Sequence, residues 1–357
     1  MTISQSTSQQ ILIVTQAFDP HADELIVLLR YLEQEPLRLN TEVIPADSLL
    51  SYTFSSGKHS AMSSPSLSSG PTVADQPIEP LEHYTLLVDG RLIDARRVGA
   101  VWWRRPAPYQ FVGTLQPEEY RFAVAETEQA MHSFWLALMA QGCYWMSAPP
   151  ILALARNLPE QLRRAHHYGF ALPRSLVTTR SGKVRALYQE TGGQVVYRVL
   201  SGLTSATEDG HVEPPATSAI LTQDHLAALD AMVSVPGLFQ ERLPAQRLYT
   251  VVVLGDQIFT AQTTQTLEQV PHWWSPQTYE LMYEPVSLSP ALTARCQTFV
   301  QSYGLEFAVM QLAIGPQEQI FFVALDPVGP FLWLEQQCPD LRLCEALAMR
   351  LVWGLSR

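Results

Sequence analysis

The residues best suited to chemistry lie near the C-terminus, in QIFFVALDPVGPFLWLEQQ, Gln319 to Gln337. Ile320 to Leu325 is an apolar run of strand length. It ends in the turn sequence Asp326-Pro327-Val328-Gly329-Pro330, and a second apolar run follows to Glu335. An acid held at the end of a core strand by a Pro/Gly turn suits a hard cation or the metal of a phosphate group, because such cations take oxygen ligands. A second candidate is cationic. Arg104-Arg105 in VWWRRP could hold a peptide or nucleotide anion, since guanidinium forks match carboxylates and phosphates. The pair could equally serve as a structural ion pair at a domain boundary, and both readings stay open. Arg163-Arg164 with His166-His167 reads as a solvated helix face. Asp19-Pro20-His21 follows the first apolar run, where open α/β sheets bind ligands, and the same residues make a helix cap. Trp102-Trp103 and Trp273-Trp274 could line a peptide groove or pack inward.

Several chemistries are not signalled. No local Ser-His-Asp or Cys-His motif and no G-x-G-x-x-G is present. Cys143, Cys296, Cys338 and Cys344 are scattered, with no His at zinc spacing. They read as reduced structural thiols of a cytoplasmic protein.

The elements that must position these groups follow from apolar patterning. ILIVT (residues 11–15) reads as a strand, and HADELIVLLRYLEQ places Leu25, Leu28, Leu29 and Leu32 at helical spacing. Strand then helix predicts a small α/β domain. Ser51 to Pro80 is rich in Ser, Pro and Gly and reads as an insertion without its own core. Glu118 to Gln141 is the clearest helix, with Met131, Phe134, Trp135 and Leu138 on one face and Gly142 as its stop. Pro149-Pro150 marks a boundary. Beyond it NLPEQLRRAHHYGF reads as a helix, and ALPRSLVTT, QVVYRVL and LYTVVVLGDQIFTAQTT as strands, with LFQERL as a hinge and LRLCEALAMRLVWGL as a closing helix.

Apolar residues make up 47% of the 357 and charged residues only 16%, so the chain is of a kind that folds. The net charge is −11 and the isoelectric point about 5.3, which weighs against a general nucleic-acid or anionic-membrane binder. MHSFWLALMAQGCYWM is too short to span a bilayer. The polar N-terminus MTISQSTSQQ lacks the basic start of a signal peptide.

The combined pattern resembles the ATP-grasp proteins, and among them the peptide maturases of microviridin type, which close lactone or lactam rings on a precursor peptide. ILIVTQAFDPHADELIVLL and LNTEVIP are similar to the family's pre-ATP-grasp domain, VWWRRP to its Trp-aromatic-Arg-Arg-Pro turn, and RNLPEQLRRAHHYGFALPRSLVTT to its Asn-Lys-x-x-Gln-Leu segment. FQERL resembles the linker that contacts adenine, and DPVGPFLWLE the closing Asn-Pro-x-Gly stretch. The resemblance implies an α/β architecture: a small Rossmann-like pre-ATP-grasp domain over residues 1–112, with the insertion at 51–80, a connecting helix over 113–148, and glutathione-synthetase-like ATP-grasp lobes over 149–357. It also implies ATP and Mg²⁺ as cofactors, with a substrate carboxylate activated as an acyl phosphate.

Residue by residue, that resemblance is patchy. The first phosphate-binding Lys corresponds to Leu158 and the second to Arg198, which keeps the charge. Gln240 and Glu241 are retained in the hinge. The family Arg falls at Tyr249, the metal-binding acid at Gln311, the strand Glu at Ala324, and the turn Asn at Asp326. Each missing charge-stabilising group costs about 10²–10³ in rate. The resulting expectation is a catalytically degenerate homologue that binds a peptide or nucleotide and acts as partner or scaffold of a maturation system, as a homodimer or beside an intact ligase. The alternative is an active carboxylate–amine or carboxylate–hydroxyl ligase. In it Arg198 holds phosphate, Gln240 and Glu241 read adenine, and Asp326 with Glu335 or Glu306 holds one Mg²⁺.

Overall fold

A computed structural model places residues 9–44, 48–52, 84–88, 90–111, 113, 115–200, 205–206, 212–213, 218–232, 235–243, 245–265 and 281–357, and the description covers these alone. The expected insertion at 51–80 and Trp273-Trp274 fall almost wholly outside them. The chain divides into two compact units: Met1–Met146 with Leu347–Arg357, and Ser147–Ala346. Among the described residues no helix is long and apolar enough to cross a membrane, and the four cysteines are free thiols.

The first unit contains β1 (Gln10–Thr15), α1 (Pro20–Tyr31), β2 (Leu37–Asn40), β3 (Ser48–Tyr52), β4 (Tyr84–Val88), β5 (Arg91–Asp94), β6 (Val98–Trp103), α2 (Pro117–Ala140) and β7 (Tyr144–Met146). Strands β2-β1-β6-β7 form a parallel sheet, and β3-β4-β5 an antiparallel one. Parallel strands are covered on both faces, which is why β1 is apolar throughout from Ile11 to Val14. Helix α2 closes this core with Met131, Phe134, Trp135 and Leu138, all buried. Trp102 is buried, and Trp103 packs edge-on to Trp135 at 5.0 Å, so neither ring is a free groove wall.

The second unit contains α3 (Pro149–Ala155), α4 (Leu158–His167), β8 (Ser175–Thr178), α5 (Ser181–Glu190), β9 (Val195–Arg198), β10 (Ser205–Ala206), β11 (Val212–Glu213), β12 (Ser218–Ile220), α6 (Gln223–Ala228), β13 (Gly237–Glu241), β14 (Arg247–Leu254), β15 (Gln257–Thr263), β16 (Tyr283–Pro285), α7 (Pro290–Gln301), β17 (Phe307–Ile314), β18 (Ile320–Asp326), α8 (Leu332–Gln337) and the start of α9 (Leu343–Gly354). Its antiparallel sheets run β12-β9-β13-β8 and β16-β15-β14-β17-β18. All eight residues of β17 are buried.

Residues 347–357 belong with the first unit, because α9 is anchored there on Tyr144. Trp353 meets that ring edge-on at 5.8 Å, Arg350 donates to its hydroxyl at 3.3 Å, and a Cβ at Gly354 would lie 2.3 Å from its Cδ1. Only glycine lets the helix come this close.

Candidate functional site

The candidate site lies in the second unit, where the four-stranded sheet faces the five-stranded one. Side chains alternate along a strand, and directly paired residues share a face. On β9 and β13, Val196 pairs with Gln240 and Arg198 with Leu238. These four share one face, while Val195 and Phe239 lie on the other, packed with Val184 and Leu187 of α5. In the large sheet Thr250 pairs with Gln311, Gln311 with Ala324, and Val309 with Asp326. The β17–β18 pairing shifts register between Gln311 and Leu312, so Val323 is an extra residue. Such a bulge reverses the alternation. Phe322 therefore packs on the helical side, 5.3 Å from Phe299 and 6.2 Å from Phe170, whereas Val323 and Ala324 join an apolar cluster with Val196, Leu243, Ala245, Leu248 and Ala313.

Arg198 enters this cluster from β9. Its Nη1 donates to Gln240 Oε1 at 3.0 Å and to the Val323 carbonyl at 3.1 Å, so it ties the small sheet to the edge of β18. The residue is buried, and burial pushes its guanidinium down to about 9. Gln240 is fully buried, and its amide also donates to Ser175 Oγ at 2.8 Å. Both ends of the Gln240 amide are thus taken by protein. Glu241 occupies the opposite face of β13, where its carboxylate accepts from Arg174 Nε at 2.9 Å. That pair is half exposed, a class worth about 0–1 kcal/mol.

The large sheet presents a neutral row below. Gln311 is 3% exposed; its Nε2 donates to Thr250 Oγ1 at 2.8 Å, and among the described residues its Oε1 accepts no hydrogen bond. Ala324, directly opposite, offers only a methyl group. Asp326 lies one position further on the same face, and its Oδ1 accepts from Val328 N at 3.0 Å, holding its own turn. A Cβ at Gly329 would stand 2.6 Å from Val309 Cβ, which accounts for glycine there. Among the described residues no group of three or more His, Cys, Asp or Glu is placed to hold a metal ion.

The structure thus brings Arg198, Gln240, Gln311, Ala324 and Asp326 to the facing surfaces of two sheets and leaves other candidates elsewhere. Tyr249 alternates with Leu248 and Thr250 and so lies on the reverse face of β14. Leu158 is buried at the first turn of α4, beside the Asn157 cap. Glu335 receives the Cys344 amide at 3.2 Å. In the first unit, Arg104 is 1% exposed with its Nε 3.7 Å from Asp19 Oδ2, while Arg105 is exposed. Asp19 caps α1 and accepts from Thr15 Oγ1 at 2.5 Å. Burial works against its charge, yet the bonds to His21 and Thr15 and the Arg104 cation hold it well below the usual carboxylate range.

Sequence reasoning missed Gln161. Its side-chain amide donates to the Leu325 carbonyl at 2.8 Å and accepts from the Leu325 amide at 3.1 Å, imitating a neighbouring strand along the edge of β18. The signal was available: Leu158, Gln161, Leu162 and Ala165 form the buried stripe of α4, and a polar residue inside such a stripe needs a partner.

No protein-family model and no curated protein matches the chain. Solved structures do. The macrocyclase MdnC of Microcystis aeruginosa MRC, bound with precursor peptide MdnA, is similar with a TM-score of 0.79 at 17% identity, over 97% of this chain and 100% of that one. A RiPP-associated ATP-grasp ligase of Chryseobacterium gregarium, in complex with ADP and a leader and core peptide, gives 0.76 at 18% identity over 96% of each chain. The macrocyclase MdnB of Microcystis aeruginosa MRC gives 0.75 at 22% identity, over 97% of this chain and 100% of that one. The fold of the chain is that of these ligases.

Proposed function

We propose that this chain, built on the ATP-grasp fold, is a homologue of the ribosomal-peptide maturases that has given up phosphoryl transfer and binds a peptide or nucleotide as partner or scaffold of a maturation system. One observation carries the reading. The register sets Gln311 directly opposite Ala324, so two positions able to converge on one cation supply an amide and a methyl group. Mg²⁺ takes oxygen ligands, carboxylates foremost, at about 2.0–2.1 Å. An amide, a methyl and one carboxylate that caps its own turn do not fit a magnesium nucleotide. Arg198 is buried and bonded to Gln240 and Val323.

The chain's own residues support a binding role. Arg198, held by Gln240, bridges the small sheet to β18, and Gln161 seals the outer edge of β18. The peptide side of the proposal draws on MdnC, whose structure carries its precursor peptide.

The test is titration calorimetry with ATP and with ADP, each with and without Mg²⁺, beside a phosphate-release assay. Binding that is indifferent to Mg²⁺, with no phosphate released, is the expected result. Mg²⁺-dependent binding with release at enzyme-like rates would establish the active-ligase alternative instead.

A further inference from the structure

Strand β8 is one edge of the sheet β12-β9-β13-β8, and among the described residues no strand pairs with its outer side. The hydrogen-bond phase says which backbone groups lie there. The Glu241 amide donates to the Arg174 carbonyl at 2.8 Å. Bonded and non-bonded pairs alternate along an antiparallel ladder. Gln240 stands opposite Ser175 and Leu238 opposite Val177, so Leu176 and Thr178 turn their N–H and C=O groups toward β13, and Ser175 and Val177 turn theirs outward. The stretch Ser-Leu-Val-Thr has no charge, proline or bulge of the kind that guards an edge. Val177 lies on the same face as Leu238 and Arg198, yet it is 47% exposed. The edge of β18 gives the contrast, since Gln161 there covers the Leu325 backbone.

We propose that β8 takes an extended acidic peptide segment as a fifth strand of this sheet. The proposal rests on the peptide half of the function proposed above and gives it a place at the sheet edge. The outward N–H and C=O groups of Ser175 and Val177 supply main-chain hydrogen bonds, and the alternating side chains of the added strand supply selectivity. On one face those side chains stand beside Val177, which suits a β-branched residue. On the other they approach α5, whose Val184 and Leu187 cover that face of the sheet. Arg180 lies just before α5 and Lys183 in its first turn, both exposed, on a chain whose net charge is −11. Asp230 nearby is held by Arg185 at 3.0 Å. At the other end of β8, Arg174 is matched by Glu241 and Glu190. The positive end of the edge is therefore the C-terminal end of β8, and the acids of the segment belong there. The occupant is thus a strand that alternates β-branched and acidic residues.

Fluorescence anisotropy of the full chain with a fluorescein-labelled peptide of alternating valine and glutamate tests it. The expected result is saturable binding below about 1 mM. Val177→Pro removes a donor that points away from β13, so it leaves the ladder whole; it should weaken binding about tenfold or more with unchanged circular dichroism. Arg180→Glu with Lys183→Glu should do the same and should favour a valine–lysine peptide instead. Methylating alternate peptide nitrogens gives a readout on the parent protein: one phase should abolish binding and the other leave it intact, which charge attraction alone does not produce. Equal binding of the two methylated peptides, full binding by Val177→Pro, or no binding up to about 1 mM overturns the proposal. A dimer in sedimentation velocity that Val177→Pro dissolves, with no peptide bound, would give the edge to a second copy and overturn it as well. Phosphate release measured in the same samples bears on the lost phosphoryl transfer alone, so the two proposals fail separately.

Discussion

Replacing Gln311 by Glu puts an acid at the centre of the neutral row without changing its size. The parent side chain is 3% exposed and donates to Thr250 Oγ1. The new carboxyl is equally buried, and among the described residues the amide oxygen it replaces had no donor. Burial then favours the neutral acid and raises the native pKa, by several units in documented buried Glu residues. The unfolded chain ionises near pH 4.3. Between that value and the raised native one, the native state binds more protons than the unfolded state, so stability falls as pH rises, by about 1.4 kcal/mol per unit. The deficit relative to the parent should be small near pH 4 and reach about 3–4 kcal/mol by pH 7. Urea unfolding of parent and variant across this range, read as their difference at each pH, cancels the titration of all other groups. A deficit constant with pH would mean that burial does not shift the new carboxyl, and one that shrinks as pH rises would mean that it meets a cation; either result contradicts a buried, cation-free position. A deficit at neutral pH that Mg²⁺ abolishes would reveal a working cation position opposite Ala324 and remove the basis for a degenerate site.

Two further substitutions probe the frame around the site. Gly329→Ala forces a Cβ to 2.6 Å from Val309 Cβ and 2.7 Å from its Cγ2, and should cost about 1–3 kcal/mol; Val309→Ala in the same chain should recover part of it in urea melts, and a neutral Gly329→Ala would refute the turn geometry. Asp19→Asn removes one partner of a buried pair and should cost about 3–5 kcal/mol near neutral pH. Because the native Asp19 is held below its ordinary value, its contribution is complete above the unfolded pKa and disappears as pH falls through the native one; the cost should therefore shrink in acid, and an equal cost at about pH 2 and pH 7 would dismiss the ion pair.

Much of the framework was legible because it rests on local pattern. The run ILIVT, the stripe through Met131, Phe134, Trp135 and Leu138, and the run YTVVV each announce their element by apolar spacing. The candidate site was legible only as residue identities. That Gln311 pairs with Ala324 depends on a bulge that no local spacing encodes. Glu241 and Gln240 are neighbours in sequence and look equivalent, yet alternation sends one side chain toward Arg198 and the other toward Arg174. Both faces of β13 are covered, so hydrophobicity does not reveal which is which. The contact of Arg104 with Asp19 joins residues far apart in sequence, which no local pattern encodes. Helices α5 and α7 were not foreseen. Pro290 starts α7 behind a Ser289 cap, a signal the sequence does contain.

Val323, the supernumerary residue of β18, acts as a phase-setter for everything that follows it in the strand. Upstream of it Phe322 serves the aromatic layer; downstream Leu325 offers its backbone to Gln161 and Asp326 reaches the turn. Deleting one residue here would leave the composition almost untouched and exchange the inward and outward members of the remaining strand. Side chains of this segment can be exchanged only for others that fit a buried apolar position, and a change of length is barred outright: the count of residues between Phe322 and Asp326 is itself the specification.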